Sequence, residues 1–273
     1  MTTKHGKERC LALPFRLGLG AHLVVAAGVD TDLLGTFTGE VPRVGTPREV
    51  AIRKARLGMA ATGLPFGLVS EGSFGADPVV PFVALHHEVL AFIDDERGLE
   101  VIEQVATNDT NFDHAVVSSA AELDRFLRRV GFPAHALIVR PHRGEAAHGI
   151  RKGLQTQAAL EDALQAAVHS SEDGKAQVET DMRAHLNPTR SKVIRRLGFQ
   201  LALRLRRHCP ACDAPGWGRV DVEPGLPCRW CRTPTHLTLH EVYACAACGH
   251  RDRYPRQDGL VAADPGLCPY CNP

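Results

Sequence analysis

Eight of the nine cysteines lie in the last 65 residues as four pairs with one spacing: Cys209/Cys212, Cys228/Cys231, Cys245/Cys248 and Cys268/Cys271. Two cysteines three positions apart place two thiolates on one tight knuckle, and two knuckles make the tetrahedral set that a zinc ion takes. Eight thiolates supply two sites with no open coordination position, so both ions are expected to be structural, holding loops together and activating no water. Fifteen residues separate Cys212 from Cys228, and nineteen separate Cys248 from Cys268. Each interval suits a β-hairpin carrying a knuckle at either end. That assigns Cys209, Cys212, Cys228 and Cys231 to one ion, and Cys245, Cys248, Cys268 and Cys271 to a second. The interleaved pairing, first pair with third and second with fourth, is the alternative. His208, His236, His240 and His250 lie near the knuckles and, with the cysteine count complete, read as surface residues.

The same tail interleaves basic and aromatic residues: Arg229, Trp230 and Arg232 flank one knuckle, and Arg251, Arg253, Tyr254 and Arg256 follow another. Such a mixture serves nucleic-acid stacking and phosphate contact. Asp213, Asp221, Glu223, Asp252, Asp258 and Asp264 balance much of the charge, so contact with a protein partner or a purely structural role is the competing reading.

These knuckles need a body to attach to. The chain has 273 residues, 44% hydrophobic and 23% charged, with a formal net charge of +1. That is ordinary for a soluble globular protein, and it selects no polyanionic partner by itself. No apolar run approaches the ~20 residues of a membrane span, and residues 1–7 have no signal-peptide core. A cytoplasmic protein is expected, where reduced thiols favour zinc over disulfides. The composition shifts near residues 205–209, which divides the chain into 1–205 and 206–273.

In the first part helices and strands alternate. Ala21–Ala27 reads as a buried strand, and Thr46–Ala61 as a helix with a capping box formed by Thr46 and Glu49. Phe66–Val69 reads as a strand closing on Glu71-Gly72. Glu88–Asp94 and Leu99–Ala106 alternate apolar and polar residues around Asp95–Gly98, as a β-hairpin does. Ala120–Val130 and Ala158–His169 have helical spacing, while Ala136–Arg140 and Ala176–Met182 read as strands. The last helix opens at Asn187-Pro188, a cap followed by proline at the first helical position. From Thr189 to His208 it carries seven basic residues and no acidic one. Val193, Ile194, Leu197, Leu201 and Leu205 make an apolar stripe opposite Lys192, Arg195, Arg196, Arg206 and Arg207. Either the basic side is a solvated face or it meets an anionic ligand. The class is α/β or α+β with a mixed sheet, plus a small double zinc ribbon.

Other constellations carry less. His86-His87-Glu88 reads as a surface strand, since neighbours on a strand face opposite ways. Ser70 and Ser73 have no histidine placed by a recognisable motif, and Cys10 reads as a small core hydrophobe.

Two resemblances follow from particular strings. DTDLLGTFTGE, SEGSFG and TDMRAHLNPTR, followed by the cysteine module, resemble an uncharacterised bacterial family known only as a domain of unknown function. Residues 46–65, TPREVAIRKARLGMAATGLP, resemble more distantly the central motif of the inosine/xanthosine triphosphate pyrophosphatases. Thr46, Glu49, Ala51, Lys54, Ala55 and Leu64-Pro65 match that motif in register. The resemblance implies an inosine triphosphatase-like fold and magnesium-dependent release of pyrophosphate from a nucleotide. It makes Glu49 and Glu71 the metal-holding and catalytic carboxylates, and Lys7 and Lys54 the phosphate ligands. Arg190 is the base or phosphate contact, and Asp30, Asp32 and Glu40 are further metal-ligand candidates. The sequence also departs from that family. Val50 replaces an asparagine, and His5 stands where another would be. Ser70 rather than Glu71 falls on the acidic position without a gap, and the strand expected before Thr3–Lys7 is absent because the chain begins there.

Overall fold

A computed structural model describes residues 1–29, 45–144 and 149–273. Asp30, Asp32 and Glu40 lie outside them. The chain separates into two compact units, one of residues 1–95 and 102–201, the other of 96–101 and 202–273. No described helix is long and apolar enough to cross a membrane.

The first unit opens with α1 (Glu8–Leu19), which has Pro14 within it and a left-handed glycine, Gly20, closing it. Sequence periodicity did not point to this helix. The strand expected at Ala21–Ala27 is absent. The segment is irregular, and only Ala26 in it is buried. Helix α2 (Pro47–Thr62) starts where its capping box predicts: the Thr46 side chain accepts from Glu49 N, and the Glu49 side chain accepts from Thr46 N. Its buried face, with Ala51, Ala55 and Met59, packs on Val69, Val89, Ala91 and Ile93.

Those residues belong to a sheet of β1 (Phe66–Ala76), β2 (Ala84–Asp94) and β3 (Leu99–Thr107) in that order. Instead of ending at Glu71-Gly72, β1 continues to Ala76, in unbroken antiparallel register with β2 from Phe66↔Asp94 to Ala76↔Ala84. Side chains alternate faces along a strand. Ser70, Gly72, Phe74, His86 and Glu88 therefore share one face of this hairpin, while Val69, Glu71 and Val89 take the other.

A second sheet has the order β4-β7-β5-β6, from β4 (His114–Val117), β5 (Leu137–Pro141), β6 (Arg151–Leu154) and β7 (Ala176–Thr180). Helices α3 (Asp124–Val130) and α4 (Gln157–Ser170) cover it. Leu160, Ala163, Leu164 and Ala167 form the helical stripe that meets Leu137, Val139, Ala176 and Val178 in the larger core. The final helix, α5 (Pro188–Leu205), buries Val193, Ile194, Leu197, Leu201 and Leu205, the stripe its spacing predicts. The architecture is mixed α/β.

The second unit contains a three-stranded antiparallel sheet of order β10-β9-β8, from β8 (Gly218–Pro224), β9 (Thr238–Ala244) and β10 (Arg251–Pro255). Around its first end Trp217, Tyr243, Cys209 and Cys245 form a small buried cluster. So little apolar material stabilises a fold poorly on its own.

Candidate metal centres and a buried charge cluster

The knuckles are built alike. In each, the amide following the second cysteine donates to the carbonyl of the first: Asp213 to Cys209, Arg232 to Cys228, Gly249 to Cys245 and Asn272 to Cys268. Ala211 N and Ala247 N also donate to Cys209 Sγ and Cys245 Sγ, at 3.4 and 3.3 Å. Such bonds stabilise thiolates.

Two groups of four sulfurs result, Cys209/Cys212/Cys245/Cys248 and Cys228/Cys231/Cys268/Cys271, each with all its ligand atoms within 4.8 Å of one another. This is the interleaved pairing, and it corrects the sequential assignment. Each interval between pairs contains one strand rather than a hairpin. Strand β8 carries the chain from the first knuckle to the far end of the sheet, β9 brings it back, and β10 sends it out again. Alternate knuckles therefore meet at the same end. A bridge between Cys228 and Ala263 marks the far end.

The geometry fits zinc. Zn–S bonds of about 2.3 Å put the sulfurs of a tetrahedron about 3.8 Å apart. The distances Cys209–Cys248, Cys212–Cys245, Cys228–Cys271 and Cys231–Cys268 are 3.8, 3.6, 3.9 and 3.6 Å. A disulfide would bring sulfurs to about 2.05 Å. A zinc ion held by four thiolates would have no open position, so each centre is suited to tying loops together rather than to acting on a substrate.

The first unit gathers a different set of residues. Lys54, from the buried face of α2, pairs with Glu71 at 2.8 Å, both side chains under one-tenth exposed. On the opposite face of the hairpin, Glu88 accepts from Arg190 Nε at 3.0 Å and Nη2 at 3.2 Å, from His86 Nε2 at 2.8 Å and from the Ser70 hydroxyl. Asn187 sets the arginine in place. Its side chain caps α5 by accepting from Arg190 N at 2.9 Å, and Arg190 Nη1 reaches Met182 O at 2.7 Å. Gly72 is required here by close approach, since a Cβ would come within 2.4 Å of Glu88 Oε2 and 2.5 Å of Arg190 Nη2. Lys7 donates its ammonium to the carbonyl of Ser70 and feels the charges of Arg190, Glu88, Glu71 and Lys54.

Electrostatics follow from burial. Desolvation, reinforced by Arg190, lowers Lys7 to about 8. Burial alone would raise the Glu88 carboxyl, but Arg190, His86 and Lys7 outweigh it and hold it below the usual carboxylate range. His86 stacks on Phe74 at 4.4 Å, and its Nδ1 is buried without a hydrogen-bond partner among the described residues.

Lys7, Lys54, Glu71 and Arg190, singled out from the sequence, thus meet around β1. Glu49 does something else: it sits exposed in the capping box, its carboxyl held below the usual range by hydrogen bonds from Thr46. His86 and Glu88 correct the surface-strand expectation, since both are fully buried. Residues two apart on a strand share a face, and a histidine and a glutamate so spaced within apolar β2 were the signal. The register also settles Ser70 against Glu71. No bulge intervenes, so they face opposite ways, and the carboxylate beside Ser70 comes from Glu88 on the neighbouring strand.

No curated protein and no solved structure matches the chain. A family model described as a domain of unknown function, DUF6671, matches residues 54–273. That span takes in both four-cysteine centres and the charge cluster except Lys7, and the chain belongs to this family.

Proposed function

We propose that the first unit is a nucleotide-binding domain whose Lys7, Lys54 and Arg190 take the phosphates, and that the second is a structural double zinc ribbon. The observation that carries the reading is Lys7, a buried ammonium held on a neutral carbonyl instead of a carboxylate. Taking that charge out of water costs several kcal/mol, which the attraction of Glu88 and Glu71 offsets only in part, and a phosphate oxygen would give the ammonium an anionic acceptor in place of a neutral one. Lys54 and Arg190 lie on opposite faces of the hairpin, each close enough to Lys7 to act on its charge, and both already have carboxylate partners, which a triphosphate with magnesium would compete for. The likeness of residues 46–65 to the inosine/xanthosine triphosphate pyrophosphatases favours a nucleoside triphosphate over other phosphate esters. By the same likeness, Glu49 and Glu71 are the carboxylates for magnesium and for activation of water. Glu71 would exchange Lys54 for the cation, and Glu49 would leave its cap.

Calorimetric titration of the zinc-loaded protein with standard and deaminated triphosphates, with and without magnesium, tests binding. A pyrophosphate-release assay on the same panel tests turnover. Binding is expected to weaken about tenfold or more in Lys7→Met and Lys54→Met, as loss of a charged hydrogen bond does. Glu49→Gln and Glu71→Gln are expected to abolish turnover and leave binding. If no nucleotide in the panel binds the wild-type protein, the reading fails. If turnover survives both glutamine variants, the assignment of carboxylates fails.

A further inference from the structure

The two zinc centres present different chemistry to solvent. In the centre of Cys209, Cys212, Cys245 and Cys248, the residue before the second cysteine of each knuckle is alanine, Ala211 and Ala247. In the other centre the same two positions are Trp230 and Tyr270, 76% and 75% exposed. Each precedes a ligand to the same ion, so their Cα atoms stay within about 18 Å of each other by chain geometry alone. Aromatic rings of this size are normally buried for what they contribute, and these two are held out by knuckles that leave them no core to enter.

Arginines bracket the tryptophan. Arg229 and Arg232 flank it, and neither side chain has a hydrogen-bond or ion-pair partner among the described residues. Arg232 holds a left-handed backbone with φ 65°, at the knuckle position where Gly249 has φ 72°. Left-handed backbone costs a side-chain-bearing residue about 1 kcal/mol that glycine avoids. Asp213, equally left-handed at φ 59°, bonds His208 through its side chain at 3.1 Å, whereas the Arg232 guanidinium has no such bond. Asp264, next to the Ala263 that bridges Cys228, turns its carboxylate to Gly266 N.

We propose that this centre is a stacking platform for single-stranded nucleic acid, with bases on Trp230 and Tyr270 and phosphates on Arg229 and Arg232. Stacking tolerates any base, and unpaired guanidinium groups beside the rings supply the charge that a polynucleotide backbone requires. A zinc centre with four thiolates is itself formally negative, so affinity rests mainly on stacking, and two arginines give a shallow salt dependence. This surface is independent of the nucleotide reading of the first unit.

The chain carries two tryptophans. Trp217 is buried at 7% exposure and Trp230 is not, so red-edge fluorescence reports Trp230. Titrating the zinc-loaded protein with oligo(dT) and with oligo(U) is expected to quench that emission. Log affinity should fall against log salt with a slope of about −1.4 for two phosphate contacts. Trp230→Ala and Tyr270→Ala, read by anisotropy of a labelled oligonucleotide, should each weaken binding about tenfold with zinc content unchanged. Arg232→Gly separates binding from folding. It should lower affinity and halve the slope, yet raise the thermal stability of the module. No binding of either oligonucleotide at low salt overturns the proposal, as does wild-type affinity retained in both aromatic variants. Full competition by a base-free polyanion overturns it too. Capture of a protein through Trp230 without oligonucleotide binding would do the same, assigning the platform to a protein partner.

Discussion

Burying an ammonium against a carbonyl weakens its hold on a proton, and Lys7 carries that consequence in a value of about 8. Its folded pKa lies below its unfolded one, so the folded state disfavours the charged form. The penalty is present below pH 8 and is relieved as pH rises toward the ordinary lysine value. Stability of the protein relative to Lys7→Met is therefore expected to rise by up to about 3 kcal/mol between those limits. Chemical denaturation of both proteins across that range measures it, and parallel curves would refute it. Glu88 sits in the reverse situation, with Arg190, His86 and the Ser70 hydroxyl all bonded to one carboxylate. Glu88→Gln leaves the Arg190 charge buried without its counter-ion, so a loss of about 3–5 kcal/mol is expected. A shift in the denaturation midpoint at unchanged slope would register it. Single residues of this cluster were legible only where a motif named them. Lys7, Lys54, Glu71 and Arg190 came from resemblance, whereas the two-residue spacing that puts His86 and Glu88 on one face of β2 was passed over, and the burial of that face is decided by tertiary packing.

Elements with local punctuation were the most legible. Thr46 and Glu49 announce α2, Asn187-Pro188 announces α5, and both helices begin there. Thr46→Ala should cost about 1 kcal/mol of stability, measurable by denaturant titration. Elements without such signals were missed. Helix α1 carries an internal proline, and β4 and β6 are four residues long, too short for periodicity to register. Strand β1 was read as ending at Gly72, because glycine there looks like a turn. The structure uses that glycine for the close passage of Glu88 and Arg190. The knuckles were legible one by one and not as partners, since pairing depends on how many strands lie between them. Cys212→Ser with Cys245→Ser tests this directly. Both belong to one centre, so the double variant should lose one zinc equivalent and keep the other. Under sequential pairing it would damage both. Metal analysis of the purified variant in reducing buffer decides.

For the molecule as a whole, the two units draw on different sources of stability. The first has a conventional core, with Leu137, Val139, Leu160, Leu164 and Val178 in one apolar cluster. The second has a four-residue cluster and two tetrathiolate centres. Metal binding in such a module is folding free energy. Chelation is expected to erase amide protection across residues 209–273 and to leave α4 and β5 protected, a difference that hydrogen exchange resolves. Loss of protection in both regions together would show that zinc supports the first unit as well.

Thiolate number and spacing are local properties, and from them the chain by itself determined that its last quarter is built to hold two zinc ions. Capping residues and helical stripes are local in the same sense, and they placed the main helices. Which knuckles share an ion, and which carboxylate stands beside Ser70, were decided only in three dimensions. Both depend on strand direction and cross-strand register, which join residues far apart in the chain through contacts that no local pattern encodes.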